Sequence, residues 1–213
     1  MARFFEEHKH QRAVSLCGRW DFLTDPLDVG ENEQWFLGLP RSESITVPSV
    51  WNTKLGLLEY EGAAWYQKKF YSEGGRIKLH FGAVMTQADL WLDGVRLEGH
   101  YGGFCEFDRI CTVTEGYHTL TVRADNGFDD HSIPQKSVDW YHYGGITRDV
   151  YYEHLAGIVV LGNHFEYTLS NDLSQADCYF KIKLYNAERK KSHLGTTTCK
   201  GNSFFANRSI FWC

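Results

Sequence analysis

A two-residue alternation of apolar and polar side chains constrains this chain more than any other feature. In 76–82, Ile77, Leu79 and Phe81 share one face, while Lys78 and His80 take the other. Successive side chains of a strand point to opposite faces, so a run of this kind buries one face only as a strand. Leu120, Val122 and Ala124 repeat the pattern in 118–125. Cys178, Phe180, Ile182 and Leu184 repeat it in 177–185, against Tyr179, Lys181 and Lys183. Within 88–98, Asp93-Gly94 separates two apolar stretches. A type I′ turn needs positive φ at both central residues, so this dipeptide predicts a tight hairpin. No segment carries a long 3.6-residue period. Short strands separated by turn residues predict an all-β antiparallel sandwich of jelly-roll type.

Composition agrees and narrows the function. Seven Trp, twelve Tyr and fourteen Phe make 15% of the 213 residues. Aromatic residues favour strands. Most of them are expected in a sandwich core, and the remainder are suited to stacking on sugar faces. From the alternating faces of the strands, Trp20, Phe22, Trp65, Phe70, Leu79, Phe81, Leu90, Leu92, Leu120, Val122 and Val150 are expected to line or border that core. The formal charge of −5 comes with no basic stripe, which excludes the electrostatic footprint of a nucleic-acid binder. No apolar run reaches the roughly 18 residues of a membrane span. The charged start MARFFEEHKHQRAV lacks the apolar core of a signal peptide, so the cytoplasm is the expected compartment. The six cysteines (17, 105, 111, 178, 199 and 213) contain no C-x-x-C pair. They are expected to be reduced, several of them buried as small apolar side chains.

The chain reads as an extension over 1–13, a jelly-roll domain over 14–155, and a partial immunoglobulin-like segment over 156–213. An immunoglobulin-like sandwich takes about 100 residues, more than follow residue 155. After Glu188 the alternation decays, and the sequence ends on Ile-Phe-Trp-Cys. This is read as a truncated or out-of-frame end in preference to an irregular extension. The last segment is expected to be poorly self-supporting. Phe204, Phe205, Phe211 and Trp212 would then seek a partner, and exposed strand edges would favour a dimer.

Local motifs of the common enzyme classes are absent: there is no G-x-S-x-G, no P-loop and no H-E-x-x-H. Gly102-Gly103 and Gly144-Gly145 read as turns. His131, His142 and His164 lack ligand-like spacing and read as structural or exposed. One segment stands out, from Asp129 to Gly145. It joins the strand ending at Ala124 to the strand 148–153, and it places Asp139 beside Trp140, Tyr141, His142 and Tyr143. Long loops on a rigid scaffold are where binding residues concentrate. A carboxylate next to flat rings suits a sugar, whose hydroxyls accept and donate hydrogen bonds and whose C–H faces pack on aromatics. A loop that simply folds over the end of the sandwich explains these residues equally well.

Six motifs in order then resemble one family. They are Leu16-Cys17-Gly18-Arg19-Trp20-Asp21-Phe22, Val47-Pro48-Ser49-Val50-Trp51-Asn52, Trp65-Tyr66-Gln67-Lys68-Lys69-Phe70, Leu90-Trp91-Leu92-Asp93-Gly94, His100-Tyr101-Gly102-Gly103-Phe104, and Tyr143-Gly144-Gly145-Ile146-Thr147-Arg148-Asp149-Val150. Together they resemble the N-terminal sugar-binding domain of glycoside hydrolase family 2, the family of β-glucuronidases, β-galactosidases and β-mannosidases. The match runs over about 14–155, and Asp139 to Gly145 looks most like the β-glucuronidase branch.

The resemblance implies a jelly roll, then an immunoglobulin-like sandwich, then a catalytic (β/α)₈ barrel. Such a barrel takes about 250 residues, so it is not expected within this chain. The two catalytic glutamates of a retaining glycosidase are expected to be missing with it. The chain therefore reads as a non-catalytic portion with no catalytic residue of its own, inactive alone, and with no cofactor or metal. Asp139 matches the family position that contacts the sugar. Trp140 sits beside it, and the Glu59–Ala64 loop is expected to approach the same place. Arg148 reads as structural, paired with a carboxylate. The implied partner is a β-glycoside or glucuronide, bound together with the barrel. Two rival readings stay open: a self-standing carbohydrate-binding module, and a small complete enzyme using Asp139 with Glu59 or Glu61.

Overall fold

A computed structural model describes residues 13–187, apart from 131, 133, 134, 137 and 138. The expectations placed on His131, Cys199, Cys213, Phe204, Phe205, Phe211 and Trp212 lie outside the described residues. The fold is all-β. The chain divides into two units after His154.

In the first unit the strands are β1 (Ala13–Ser15), β2 (Gly18–Asp25), β3 (Glu43–Val47), β4 (Ala63–Phe81), β5 (Val84–Met85), β6 (Gln87–Leu92), β7 (Val95–Tyr101), β8 (Phe107–Asp125), β9 (Gly145–Ile146) and β10 (Val150–Leu155). The expected hairpin is present. Leu92 pairs with Val95, and Asp93 and Gly94 take φ of 52° and 79°. The runs at 76–82 and 118–125, expected as short strands, are instead the ends of two 19-residue strands. β4 and β8 pair from Ala63↔Asp125 to Phe81↔Phe107.

Glycines conceal that continuity. Gly74, Gly75 and Gly116 hold φ between 85° and 139° in the middle of the ladder, a region L-residues rarely adopt. Across them the inward parity changes. Ala64, Tyr66 and Phe70 enter the core from the first half of β4, and Ile77, Leu79 and Phe81 from the second. β8 changes likewise, from Phe107 and Val113 to Leu120, Val122 and Ala124. One strand pair thus presents opposite faces to a single core, as it must to serve both layers of a jelly roll. Near residues 63–67, β2 and β3 extend the ladder on one side, and β6 and β7 extend it on the other beside 120–125. β10 and β1 flank the remainder of β4.

Trp20, Phe22, Phe70, Leu79, Phe81, Leu90, Leu92, Leu120, Val122 and Val150, expected in the core, are all buried in one cluster. Trp65 is buried too, but on the other face. There it stacks on Trp91 at 5.1 Å and meets Trp35 edge-on at 6.1 Å. The 26–42 segment covers this second core. The buried Asp25 carboxylate accepts from the Val29 and Gly30 amides and from Trp65 Nε1. The Arg123 guanidinium binds Asp28, Asp89 and Asp125. No buried cysteine is found among the described residues: Cys105 is exposed, and Cys17, Cys111 and Cys178 are half-buried and free. Cys17, in the link between β1 and β2, accepts the Val150 amide at 3.4 Å through its Sγ, and Cys111 packs against the core from a half-buried position.

The second unit holds β11 (Ile158–Leu169) and β12 (Ala176–Asn186), a two-stranded antiparallel ribbon. Phe165, Tyr167 and Leu169 lie opposite Phe180, Cys178 and Ala176. Their shared face leaves Phe165, Tyr167, Leu169 and Phe180 exposed.

Candidate functional site

The loop between β8 and β10 is fastened to the sandwich by backbone and amide groups. Ser49 N donates to Ile146 O at 2.9 Å, and Trp51 N to Gly144 O at 3.0 Å. Asn52 is the central tie. Its Oδ1 accepts the Gly144 amide at 2.9 Å, while its Nδ2 donates to the carbonyls of Leu57, Leu58 and Tyr60. Those bonds occupy its amide, so the Asn of the Val47–Asn52 motif is a clamp between two loops. Asn126 forms a second clamp: Gly62 N donates to its Oδ1 at 2.9 Å, and its Nδ2 reaches His142 O at 3.4 Å.

Gly144-Gly145 is a close approach and not a turn. A Cβ at Gly144 would fall 1.9 Å from the Trp51 ring, and Gly145 has φ of 131° and pairs within β9. The spacing showed two glycines but not the ring pressed on them. The Tyr66 hydroxyl is buried against the same strand, and burial pushes its pKa upward. His142 is structural, as expected. Its ring stacks on Phe128 at 4.1 Å, and Nε2 donates to Asn126 O. That tautomer leaves Nδ1 as an acceptor, and Nδ1 is buried without a partner among the described residues.

These ties bring the two predicted loops together. A cavity of about 210 Å³ is lined by Glu59, Tyr60, Glu61, Lys136, Trp140 and His142, among others. Trp140 is exposed at its rim, and Tyr141 donates its hydroxyl to Leu58 O. Burial raises the pKa of Tyr60 to about 12, so its hydroxyl stays protonated and donates to Ala63 O. Asp139 is exposed on the same loop but does not line this cavity. The carboxylates brought to it are Glu59 and Glu61.

A second cavity of about 530 Å³ shares Trp140, Tyr141 and His142, and adds Met85, Phe104, Tyr143 and Arg148. Arg148 does not make the carboxylate pairing expected of it among the described residues. Its Nη1 donates to Phe104 O at 3.5 Å, and no carboxylate among the described residues pairs with it. The local reason is that Arg148 lies outside the strands, in the bend before β10, where its side chain points to the loop cluster and not across a ladder. No group of three or more His, Cys, Asp or Glu positioned to hold a metal occurs among the described residues.

A jelly-roll sandwich with clamped, aromatic loops at one end is the class of domain defined by this fold and site. No family model matches the sequence. A β-glucuronidase of Streptococcus agalactiae is 27% identical over 208 residues, covering 82% of this chain and 33% of the relative. A β-glucuronidase of Paenibacillus borealis is 25% identical, covering 88% of this chain and 37% of the relative. β-Galactosidases also match. A solved β-glucuronidase from an uncultured Clostridium sp. superposes with a TM-score of 0.76 at 24% identity, covering 95% of this chain and 40% of that one. The chain thus spans well under half the length of these proteins. The resemblance to the N-terminal domain of glycoside hydrolase family 2 is borne out: sequence relatives and fold neighbours alike are glycosidases of the β-glucuronidase and β-galactosidase kind.

Proposed function

We propose that this chain is the sugar-contacting, non-catalytic portion of a family 2 glycosidase of β-glucuronidase or β-galactosidase type. One observation carries the reading: Trp140 and the Glu59–Glu61 segment, from loops far apart in sequence, line one cavity on a buried scaffold. Hydroxyls can donate to Glu59 and Glu61, and a sugar's C–H face can pack on Trp140. At about 210 Å³ this cavity falls below the roughly 300–1,000 Å³ of a self-contained ligand site, which favours a second wall from a catalytic barrel. Asp139, exposed beside Trp140, is free to face that barrel and accept sugar hydroxyls. Hydrolysis would then be the barrel's work, with no cofactor required of this chain.

The test is a chimera in which this chain replaces the matching region of the Streptococcus agalactiae relative. Asp139→Asn and Trp140→Ala should each lower kcat/KM for an aryl β-glucuronide by about tenfold or more, the loss expected for a charge-assisted or stacking contact. Unchanged kcat/KM in both variants would overturn the assignment. The exposed rings of Trp140, Tyr141 and Tyr143 favour a second reading, a module that binds glycans alone. Saturable binding of the isolated chain to a glycan array would support that second reading over the first.

A further inference from the structure

The larger cavity has a chemistry different from that of its neighbour. Its walls are mainly apolar: Met85, Phe104, Trp140 and Tyr143 supply a thioether and three rings. Its volume of about 530 Å³ lies within the roughly 300–1,000 Å³ of small-molecule sites. Gly103 lets the wall close, because a Cβ there would lie 2.2 Å from Met85 Sδ. Among the described residues Arg148 is the one arginine or lysine on its lining, and the bond recorded for it there is the long one to Phe104 O. A guanidinium is built to bind a carboxylate through two parallel hydrogen bonds, and no carboxylate among the described residues takes that place.

We propose that this cavity binds a flat apolar ring bearing an anionic group, an aromatic carboxylate being the simplest member of the class. The ring packs between Phe104, Trp140 and Tyr143, with the Met85 sulfur at its edge. The carboxylate meets Arg148. The site shares its Trp140 wall with the sugar-contact cavity, but Arg148 and Phe104 line it alone, so their variants test this proposal and leave the sugar-contact reading standing.

The probes are 2-naphthoate and its neutral isostere 2-naphthamide, titrated into the purified chain by calorimetry and by tryptophan fluorescence. The acid should bind with one-to-one stoichiometry and about tenfold more tightly than the amide, because only the acid gains charge-assisted hydrogen bonds. Arg148→Gln should erase that difference while leaving the amide's affinity unchanged. Phe104→Ala should weaken both probes. Both side chains are exposed, and an unaltered melting temperature confirms that each variant folds. Equal affinity for acid and amide, full acid affinity in Arg148→Gln, or no saturable binding at millimolar probe would each overturn the proposal.

Discussion

The first unit and the β11–β12 ribbon carry the same alternating pattern with opposite outcomes. Ile77, Leu79 and Phe81 of β4 are fully buried, whereas Phe165, Tyr167 and Leu169 of β11 remain exposed. Alternation dictates that a strand forms and which side chains share a face. Burial needs a second layer opposite that face, and the long β4–β8 ladder supplies it by presenting opposite faces to one core. Among the described residues the ribbon has two strands, and a two-stranded hairpin alone is marginal in water. Among the described residues the buried apolar core lies almost wholly in the first unit, which is also the scaffold of the site.

The largest expected effect contrasts the two regions directly. Trp20→Ala should cost roughly 3–5 kcal/mol, as truncation of a fully buried aromatic does. Phe165→Ala should cost no more than about 1 kcal/mol, because little buried area is lost. Denaturant unfolding measures both, and similar losses would mean that the ribbon is as tightly packed as the sandwich. Native-state hydrogen exchange sharpens the same contrast. Amides of β4 and β8 should exchange only through global unfolding, and those of β11 and β12 much sooner.

Next in size is Asp25→Ala. It leaves the Val29, Gly30 and Trp65 donors unpaired at a buried position, for a loss on the order of 3 kcal/mol. The lost stability should be accompanied by protease cleavage within 26–42, since that segment is anchored there.

A smaller effect concerns pH. Burial alone would lower the pKa of His118 from its ordinary 6.5, but hydrogen bonds to Asp93 and to Thr114 O outweigh it, and the net shift is upward. The folded state therefore holds this proton more tightly than the unfolded chain. The resulting stability is fully present below about 6.5 and fades as pH rises through the raised folded value. His118→Gln should flatten the stability profile across that window, and an unchanged slope would place the titration elsewhere. Smallest of all, Asp139→Asn should shift the stability of this chain by no more than about 0.5 kcal/mol, because the side chain is exposed. A loss of several degrees in melting temperature would make Asp139 structural.

Much of the architecture was legible because strands announce themselves locally. The Asp93-Gly94 turn and ten of the expected core positions followed from parity and turn chemistry alone. The length of β4 and β8 did not, since the positive-φ glycines that join their halves look like breaks to an alternation pattern. Nor did the second core: Trp65 carries the right parity for a strand, but nothing near it in sequence says that 26–42 covers it. At the site, the motifs singled out the 139–143 loop and the Glu59–Ala64 loop. They did not reveal that Asn52 and Asn126 hold the two together, because a clamp spanning 92 residues, as between Asn52 and Gly144, has no local signature. Arg148 was misjudged for the same reason, its partner being a carbonyl from the 104 loop.

In the function we propose, this chain contacts sugar without performing hydrolysis. The most direct measurement is release of 4-nitrophenol from 4-nitrophenyl β-glucuronide and 4-nitrophenyl β-galactoside by the purified chain. No turnover above that of an Asp139→Ala, Trp140→Ala double variant is expected. Turnover by the parent chain that disappears in Glu59→Gln or Glu61→Gln would contradict it, and would make the small cavity a complete active site.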